Sequence, residues 1–135
     1  MDILNKIKTY SSNNKCKLYV VGGYVRDKIL NLNHNGDIDL IFDGNINKLI
    51  GSLKNEGYGI FQIKKGIDIY RCIDDEKNQV DISYIKGNSI EEDLGNRDFT
   101  INAIVIDLIN NVMVDPFKGY KDLKEGVIRK IKDRK

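Results

Sequence analysis

A glycine pair between a strand and a short helix is the feature that most constrains the fold of this chain. Residues 18–21 form the apolar run Leu-Tyr-Val-Val, which is typical of a buried strand, and residues 24–30 have the pattern of a short helix. Gly22 and Gly23 therefore predict a tight strand-to-helix turn. Glycines let the backbone come close to a phosphate, and Arg26 is placed to add a charge-assisted contact one turn into the helix. A glycine pair alone, however, is most often only a turn.

Two aspartates stand at the start of the next apolar segment. Asp37 and Asp39 flank Ile38, and residues 38–42 have the composition of a strand. Side chains two positions apart on a strand point to the same face, about 6–7 Å from each other. Two carboxylates this close repel each other unless a cation lies between them, and their oxygen atoms are the ligands that Mg²⁺ prefers. The pattern predicts a metal site, with a solvated pair of aspartates as the alternative.

A third carboxylate, Asp81, lies between Val80 and Ile82 in another strand-like segment, residues 79–85. Its apolar neighbours assign it to the polar face of that strand. If this strand lies beside the strand of Asp39, three acids converge, as phosphoryl transfer by two metal ions requires. The alternative is that Asp81 is an exposed strand residue without a role in catalysis.

The remaining elements can be assigned from periodicity and capping signals. Helices are predicted over residues 2–11, 45–56 and 99–105, with one more after the capping sequence Ser-Ile-Glu-Glu at residues 89–92. Strands are predicted over residues 59–64, 67–73 and 112–114. These elements predict an α+β fold with one mixed or antiparallel sheet of about five strands flanked by helices.

Composition limits the class of protein. At 135 residues with 41% hydrophobic residues, the chain fits a single globular domain. No run approaches the roughly 20 apolar residues of a membrane span, and the polar N-terminus does not resemble a signal peptide, so we expect a cytoplasmic protein without a membrane partner. Cys16 and Cys72 lack metal-ligand spacing and are expected to be reduced structural thiols. The single histidine, His34, is interpreted as an exposed loop residue without a catalytic role.

Basic residues concentrate near the end of the chain. The net charge is only +2, but from residue 118 onward eight basic residues stand against three acidic ones. A basic segment of this kind can contact nucleic-acid phosphates. A solvated helix or tail is the alternative.

Four blocks of sequence, taken in order, resemble one family. They are GGYVRD at residues 22–27, GDID at 36–39, EEDL with RDFTINA at 91–94 and 97–103, and DPFKGYKDL at 115–123. The blocks are similar to the GGxVRD, DxD, EEDL…RRDFTxNA and DPFxGxxDL motifs of class II CCA-adding enzymes and bacterial poly(A) polymerases. These enzymes belong to the polymerase β nucleotidyltransferase superfamily, and the blocks resemble their N-terminal head domain.

The resemblance implies a polymerase β-like fold, an activity and a set of site residues. The implied reaction is Mg²⁺-dependent transfer of a nucleoside monophosphate from CTP or ATP to the 3′ end of a tRNA or another RNA, with release of pyrophosphate. Two magnesium ions are implied, with three aspartates as metal ligands and catalytic residues: Asp37, Asp39 and Asp81. The implied nucleotide-binding residues are Gly22, Gly23, Arg26, Arg97, Asp98 and Asn102.

Three departures from the family pattern affect the functional hypothesis. Asn96 stands where the family usually has the first arginine of RRDF, and only residues 82–90 separate Asp81 from the EEDL block, where many relatives have a longer loop. Residues 1–126 correspond to the head domain and residues 127–135 to the start of the neck, while the neck, body and tail of the family are not found in the sequence. A protein partner is one possible source of these parts. CCA, CC and poly(A)-type addition all remain open.

Two other functions are compatible with the same residues. One is a stand-alone nucleotidyltransferase that modifies a protein or a small molecule, and the other is an inactive module that binds nucleotide or assembles with a partner. The RDFTINA block favours RNA as the acceptor, and the presence of Asp37, Asp39, Asp81 and Arg26 argues against an inactive protein.

Overall fold

The computed structural model describes residues 2–34, 36–63 and 69–131. The helices in this part of the chain are α1 (Asp2–Asn13), α2 (Gly23–Ile29), α3 (Ile46–Asn55), α4 (Ile90–Leu94), a single 3₁₀ turn (Thr100–Asn102) and α5 (Gly119–Glu125). The strands are β1 (Lys17–Val21), β2 (Ile38–Asp43), β3 (Gly59–Gln62), β4 (Ile69–Ile73), β5 (Gln79–Tyr84), β6 (Val105–Asp107) and β7 (Val112–Val114). The fold is α+β, as the sequence predicts.

One mixed sheet contains all the strands, in the order β3-β4-β5-β2-β1-β6-β7. Strands β2 and β5 are parallel, and the other neighbouring pairs are antiparallel. The described residues therefore form seven strands, whereas the sequence predicted about five. Strand β6 accounts for part of the difference, because it was assigned to a helix.

The sheet separates two hydrophobic clusters. One cluster joins β1, β2, β4 and β5 to α1, α2 and α3, and its fully buried members include Ile3, Leu18, Leu40, Leu49 and Ile82. The other lies with α4 and the segment before β6, and includes Tyr19, Ile41, Leu94 and Val105. Alternate residues of β1 and β2 serve the two clusters, so both strands are apolar nearly throughout.

Side-chain caps start two of the helices at the positions that the sequence indicates. The Asn45 side chain accepts a hydrogen bond from the Lys48 N–H at 3.1 Å, and the Ser89 hydroxyl accepts one from the Glu92 N–H at 3.1 Å. Each contact satisfies one of the N–H groups that a first helical turn leaves free.

The helix predicted over residues 99–105 is wrong. Phe99 is extended, a single 3₁₀ turn follows at Thr100–Asn102, and Val105 already belongs to β6. Residues 104–106 are the β-branched run Ile-Val-Ile, which favours a strand, and β6 completes the sheet beside β1. Tertiary pairing with β1 therefore outweighs the weak helical pattern.

The strands predicted over residues 59–64 and 67–73 form an antiparallel hairpin, β3 and β4. The predicted ends at positions 64, 67 and 68 lie outside the described residues. Within the described part of the chain no helix is long and apolar enough to cross a membrane. Cys16 and Cys72 are both free thiols, as expected from their spacing.

The end of the described chain returns to the 3₁₀ segment. Helix α5 packs on this segment, and residues 129–131 then run beside residues 98–100, with a β-bridge between Phe99 and Lys130. The Thr100 N–H donates to the Arg129 carbonyl, and the Ile131 N–H donates to the Asp98 carbonyl, both at 3.0 Å. These contacts join residues 129–131 to the head domain across the predicted boundary between residues 126 and 127. The boundary itself stays a prediction.

Replacement of Gly119 by alanine should destabilise the fold. A Cβ atom at Gly119 would collide with the backbone carbonyl of Thr100 and touch Ile104. We expect Gly119→Ala to lower the free energy of unfolding by about 1–3 kcal/mol, the usual cost of overpacking. Chemical denaturation measures the change.

Gly51 is the matched control, because it is exposed in α3 and a Cβ there meets no atom within 4 Å among the described residues. Gly51→Ala should raise the free energy of unfolding by about 0.5–1 kcal/mol through helix propensity. Equal effects of the two substitutions would contradict the close packing of α5 on Thr100.

Candidate active site

The register of two parallel strands brings the predicted carboxylates together. Asp39 on β2 and Asp81 on β5 are Cα partners across the strand pair, and Asp37 lies one residue before β2. The condition stated from the sequence, that the two strands lie side by side, is therefore met. Parallel neighbours in register project their side chains from the same face, about 5 Å apart.

The glycine turn lies directly against this cluster. Val21, the last residue of β1, pairs with Asp39, so the chain reaches Gly22 beside the Asp39 carboxylate. A Cβ atom at Gly22 would lie 3.2 Å from Asp39 Oδ2, and the φ of Gly22 is +83°. Both the left-handed backbone and the close carboxylate require glycine at this position.

Arg71 is a residue of the site that the sequence interpretation missed. It pairs with Asp81 across β4 and β5, and its Nε and Nη2 donate to the two Asp81 carboxylate oxygens at 3.0 and 3.2 Å. Arg71 Nη2 also lies 3.9 Å from Asp37 Oδ2. Residues 74–78 form the turn of the β4–β5 hairpin, so counting outward from this turn would have placed Arg71 opposite Asp81.

The charges of the cluster are not balanced. The pKa of Asp39 is raised above its ordinary value, first because its carboxylate is partly buried and then because Asp81 and Asp37 are negatively charged. The positive charges of Arg97 and His34 oppose this shift without cancelling it. A raised carboxylate pKa beside two other acids indicates that the site would be stabilised by a further cation.

Some of the carboxylates in the cluster are suitable ligands for a hard divalent cation, and others are already engaged. Carboxylate oxygens are suitable ligands for Mg²⁺, and the Asp37 side chain is half exposed and so accessible to an ion. Asp81, by contrast, has both oxygens on Arg71. Over residues 2–34, 36–63 and 69–131, no group of three or more His, Cys, Asp or Glu side chains is arranged to hold a metal ion. The assignment of three aspartates as metal ligands stays a prediction.

A polar cavity of about 330 Å³ opens beside the glycine turn. Four of the predicted nucleotide-binding residues line it together with Asn96: Gly22, Arg97, Asp98 and Asn102. The other two, Gly23 and Arg26, are not among its lining residues, although they follow Gly22 in the same turn and helix. The volume is within the range of small-molecule sites.

Arg97 has unused hydrogen-bonding capacity. Its Nε is buried and has no hydrogen-bond partner among the described residues, while its Nη2 lies 3.5 Å from Asp93 Oδ1. Asp93 is itself buried and accepts a 2.7 Å hydrogen bond from the Lys86 N–H, which fixes its carboxylate. The Arg97 side chain as a whole is 31% exposed and lines the cavity, so its guanidinium is suited to an anionic ligand.

A buried carboxylate on α5 supports the other side of the cavity. Asp122 Oδ2 accepts a 2.6 Å hydrogen bond from the Thr100 hydroxyl, and Arg129 donates to both Asp122 oxygens. These contacts lower the pKa of Asp122, the Thr100 hydrogen bond most of all. The network holds the irregular segment that carries Asp98 and Asn102.

The interpretation of His34 as an exposed residue is wrong. Its side chain is only 17% exposed, its Nδ1 lies 2.8 Å from Asp27 Oδ2 and its Nε2 lies 2.9 Å from the Asp37 carbonyl oxygen. Its ring also makes an edge contact with Tyr24, with centroids 5.6 Å apart. His34 therefore connects the end of the glycine motif to the backbone of the aspartate motif. The spacing of these residues gave no sequence signal for this contact.

Both neighbours of the His34 ring are hydrogen-bond acceptors. Only the doubly protonated imidazolium can donate to a carboxylate and to a carbonyl at once. The hydrogen bond with Asp27 is the main cause that raises the pKa of His34, and the Asp37 carbonyl adds to it. The same hydrogen bond lowers the pKa of Asp27.

Comparison with known proteins identifies the family. Residues 18–129 match the family described as the Poly A polymerase head domain, and the chain belongs to that family. The resemblance drawn from the four sequence blocks is thereby confirmed.

The most similar proteins include tRNA nucleotidyltransferases. The CC-adding tRNA nucleotidyltransferase of Shouchella clausii is 33% identical over 111 residues, which are 82% of this chain and 28% of the relative. The CCA-adding enzyme of Buchnera aphidicola subsp. Baizongia pistaciae is 34% identical over 125 residues, covering 85% of this chain and 29% of the relative.

Solved structures agree with these matches. The Thermotoga maritima CCA-adding enzyme complexed with tRNA superimposes with a TM-score of 0.82 and 33% identity, over 97% of this chain and 33% of that one. A complex of a CCA-adding enzyme with CTP superimposes equally well, at a TM-score of 0.82 and 31% identity, over 97% of this chain and 34% of that one. The chain thus spans about a third of the length of the proteins that it matches.

The link through His34 should make stability depend on pH. A raised folded pKa means that the contribution of His34 is complete below its ordinary value of 6.5 and is lost as the pH rises through the raised pKa. The lowered pKa of Asp27 means that its contribution is lost only as the pH falls through that lowered value. The free-energy difference between wild type and His34→Gln should therefore be largest near about pH 5–6 and smaller near about pH 9.

Urea denaturation at a series of pH values measures this difference. The exposed neighbour Asn33 provides the control, because Asn33→Gln should have a small effect that does not depend on pH. A difference for His34→Gln that stays constant as the pH rises would contradict the protonated link.

Proposed function

We propose that this chain is the catalytic head of a Mg²⁺-dependent nucleotidyltransferase that transfers a nucleoside monophosphate from an NTP to an RNA 3′ end and releases pyrophosphate. The observation that carries the proposal is the alignment of Asp39 with Asp81 beside a cavity lined by Arg97, Asp98 and Asn102. A cluster of acids next to an anion-binding cavity is what phosphoryl transfer requires.

The proposed roles follow from chemistry and position. Asp37 and Asp39 hold the metal, with Asp81 as the third carboxylate. When bound, the magnesium ions neutralise the charge of the triphosphate and of the leaving pyrophosphate. Arg97, which lines the cavity with its side chain 31% exposed, binds an anionic group of the nucleotide. Gly22 and Gly23 carry no side chain beside Asp39 and Arg26, so the backbone of the turn is proposed to approach a phosphate closely.

In the proposed reaction the RNA 3′ hydroxyl oxygen forms a bond to the α-phosphorus of the NTP, and the bond between this phosphorus and the bridging oxygen breaks. Pyrophosphate leaves with that oxygen, and the proton of the hydroxyl passes to solvent. Positioning and charge stabilisation account for most of the catalysis in such transfers. Arg26 is proposed as a further contact to the triphosphate because its side chain is half exposed on α2, three residues after Gly23.

The acceptor is proposed to be a tRNA and the nucleotide CTP or ATP, because the matched proteins include CC-adding and CCA-adding enzymes and their complexes with tRNA, ATP and CTP. A cytoplasmic location fits a tRNA substrate. Since the matched proteins are about three times longer, further domains or a protein partner are proposed to supply base selection and most of the tRNA contacts.

Substitution of the metal-binding aspartates should abolish transfer and preserve the fold. We expect Asp37→Ala and Asp39→Asn to lose incorporation of labelled NTP into tRNA lacking its 3′ end, assayed together with the neck and body of a relative. Asp75→Asn, in the exposed β4–β5 turn, is the control and should keep normal activity. Normal turnover by either of the first two variants would contradict the metal assignment.

Asp39→Asn should also raise the thermal midpoint of the metal-free protein near neutral pH. The pKa of Asp39 is raised in the folded state, so its ionised form costs stability above that pKa. The gain should shrink as the pH falls through the raised pKa, where wild-type Asp39 is protonated and neutral.

Nucleotide binding should depend on Mg²⁺ and Arg26 but not on the base. We expect Arg26→Ala to weaken NTP binding by about tenfold, equivalent to about 1.4 kcal/mol, because a charge-assisted contact to the triphosphate is lost. Lys28→Ala, an exposed change on the same helix, should have a smaller effect. Calorimetric titration with the four NTPs makes the measurement, and a tenfold preference for CTP would contradict base-independent binding.

A further inference from the structure

Arg71 occupies a position in the carboxylate cluster that the proposed reaction does not explain. It stands at the middle of β4, directly opposite Asp81, and makes two hydrogen bonds to its carboxylate. One nitrogen of the same guanidinium reaches to 3.9 Å from Asp37. The guanidinium therefore lies against two of the three carboxylates proposed to hold metal.

A guanidinium in this place competes with a metal ion for Asp81. The Asp81 side chain is only 16% exposed and gives both oxygens to Arg71. A divalent cation bound to the same carboxylate would lie within a few ångströms of a fixed positive charge, where repulsion is strong even in a partly solvated site. Arg71 and a metal ion at Asp81 therefore oppose each other.

The net charge of the carboxylate cluster indicates how many divalent cations it can bind with Arg71 in place and without it. Asp37, Asp39 and Asp81 carry three negative charges when ionised, and Arg71 reduces their sum to two, which one divalent cation balances. Without Arg71 the cluster carries the full charge of three acids and can attract a second cation.

Release of Arg71 is feasible in this geometry. Its side chain is 38% exposed, so the guanidinium already borders solvent into which it can move. Its long side chain can leave the carboxylate without any change in the β4–β5 backbone pairing.

We propose that Arg71 is an internal counter-ion that competes with the metal for Asp81, so that the intact Arg71–Asp81 ion pair limits the site to one tightly bound divalent cation. The inference rests on the proposed function, because it concerns the same metal site. It makes Arg71 a positioning residue that controls how many ions the carboxylates hold.

Direct metal titration tests the proposal without RNA or nucleotide. Mn²⁺ is the probe, and the loss of the free-ion electron paramagnetic resonance signal gives affinity and stoichiometry. Arg71→Met should bind Mn²⁺ about tenfold more tightly than wild type, or bind a second ion, whereas Arg71→Lys should stay near wild type because it keeps the charge. Lys48→Met, on α3, is a control for the loss of a surface charge and should have little effect.

A double-mutant cycle separates competition from simple charge removal. The gain from Arg71→Met should disappear in an Asp81→Asn background. The proposal would be overturned if Arg71→Met raised Mn²⁺ affinity equally in the Asp81→Asn background. It would also be overturned if Arg71→Met gave no gain in the wild-type background. If Arg71→Met fails to fold, as judged by its thermal midpoint, Arg71→Gln takes its place with the same expected outcomes.

The outcome is distinguishable from failure of the proposed function. If Asp39→Asn abolishes Mn²⁺ binding while Arg71→Met leaves it unchanged, the metal site stands and the role of Arg71 is wrong. If Asp37→Ala and Asp39→Asn both bind Mn²⁺ as wild type does, the metal assignment fails and the role of Arg71 fails with it.

Discussion

The parallel pairing of β2 with β5 is the constraint on which the rest of the site depends. It sets Asp39 and Asp81 side by side, with Asp37 one residue before the strand, and so places three like charges on one face of the sheet. Hydrophobic clusters on both faces fix this register, because a shift by one residue would turn the aspartates into the core and apolar side chains into the site. The free energy of hydrophobic packing therefore offsets the electrostatic repulsion among the three carboxylates.

The surrounding residues reduce this repulsion without removing it. Arg71 neutralises Asp81, and the charges of Arg97 and His34 act on Asp39, yet the pKa of Asp39 remains raised. Gly22 contributes by having no side chain, which keeps the space next to the Asp39 carboxylate free. The result is a folded site with remaining negative charge next to a cavity that Arg97 lines. This distribution of charge is the basis on which a metal ion and a triphosphate are proposed as ligands.

Local sequence patterns predicted the strand–turn–helix unit, β2 and the approach of Asp81, because periodicity and glycine turns depend on near neighbours. Strand β6 was missed, since only pairing with β1 decides whether residues 104–106 are extended. Arg71 was within reach of the sequence, because the β4–β5 turn fixes which residue faces Asp81. The contacts of His34 could not be predicted from the sequence, since its two hydrogen-bond acceptors lie in different parts of the chain. Only the folded loop brings them to one imidazole ring.

His34 and Arg71 both lie at Asp37 but contact different parts of it. His34 holds the carbonyl of Asp37 and the carboxylate of Asp27, so it fixes the backbone that presents the first aspartate. Arg71 instead contacts side-chain oxygens, those of Asp81 by hydrogen bonds and that of Asp37 at 3.9 Å. If Arg71 is the exchangeable counter-ion proposed above, the fixed backbone keeps the site ordered before a cation binds. The exposures of the two side chains agree with this difference, since the His34 side chain is 17% exposed and the Arg71 side chain 38% exposed.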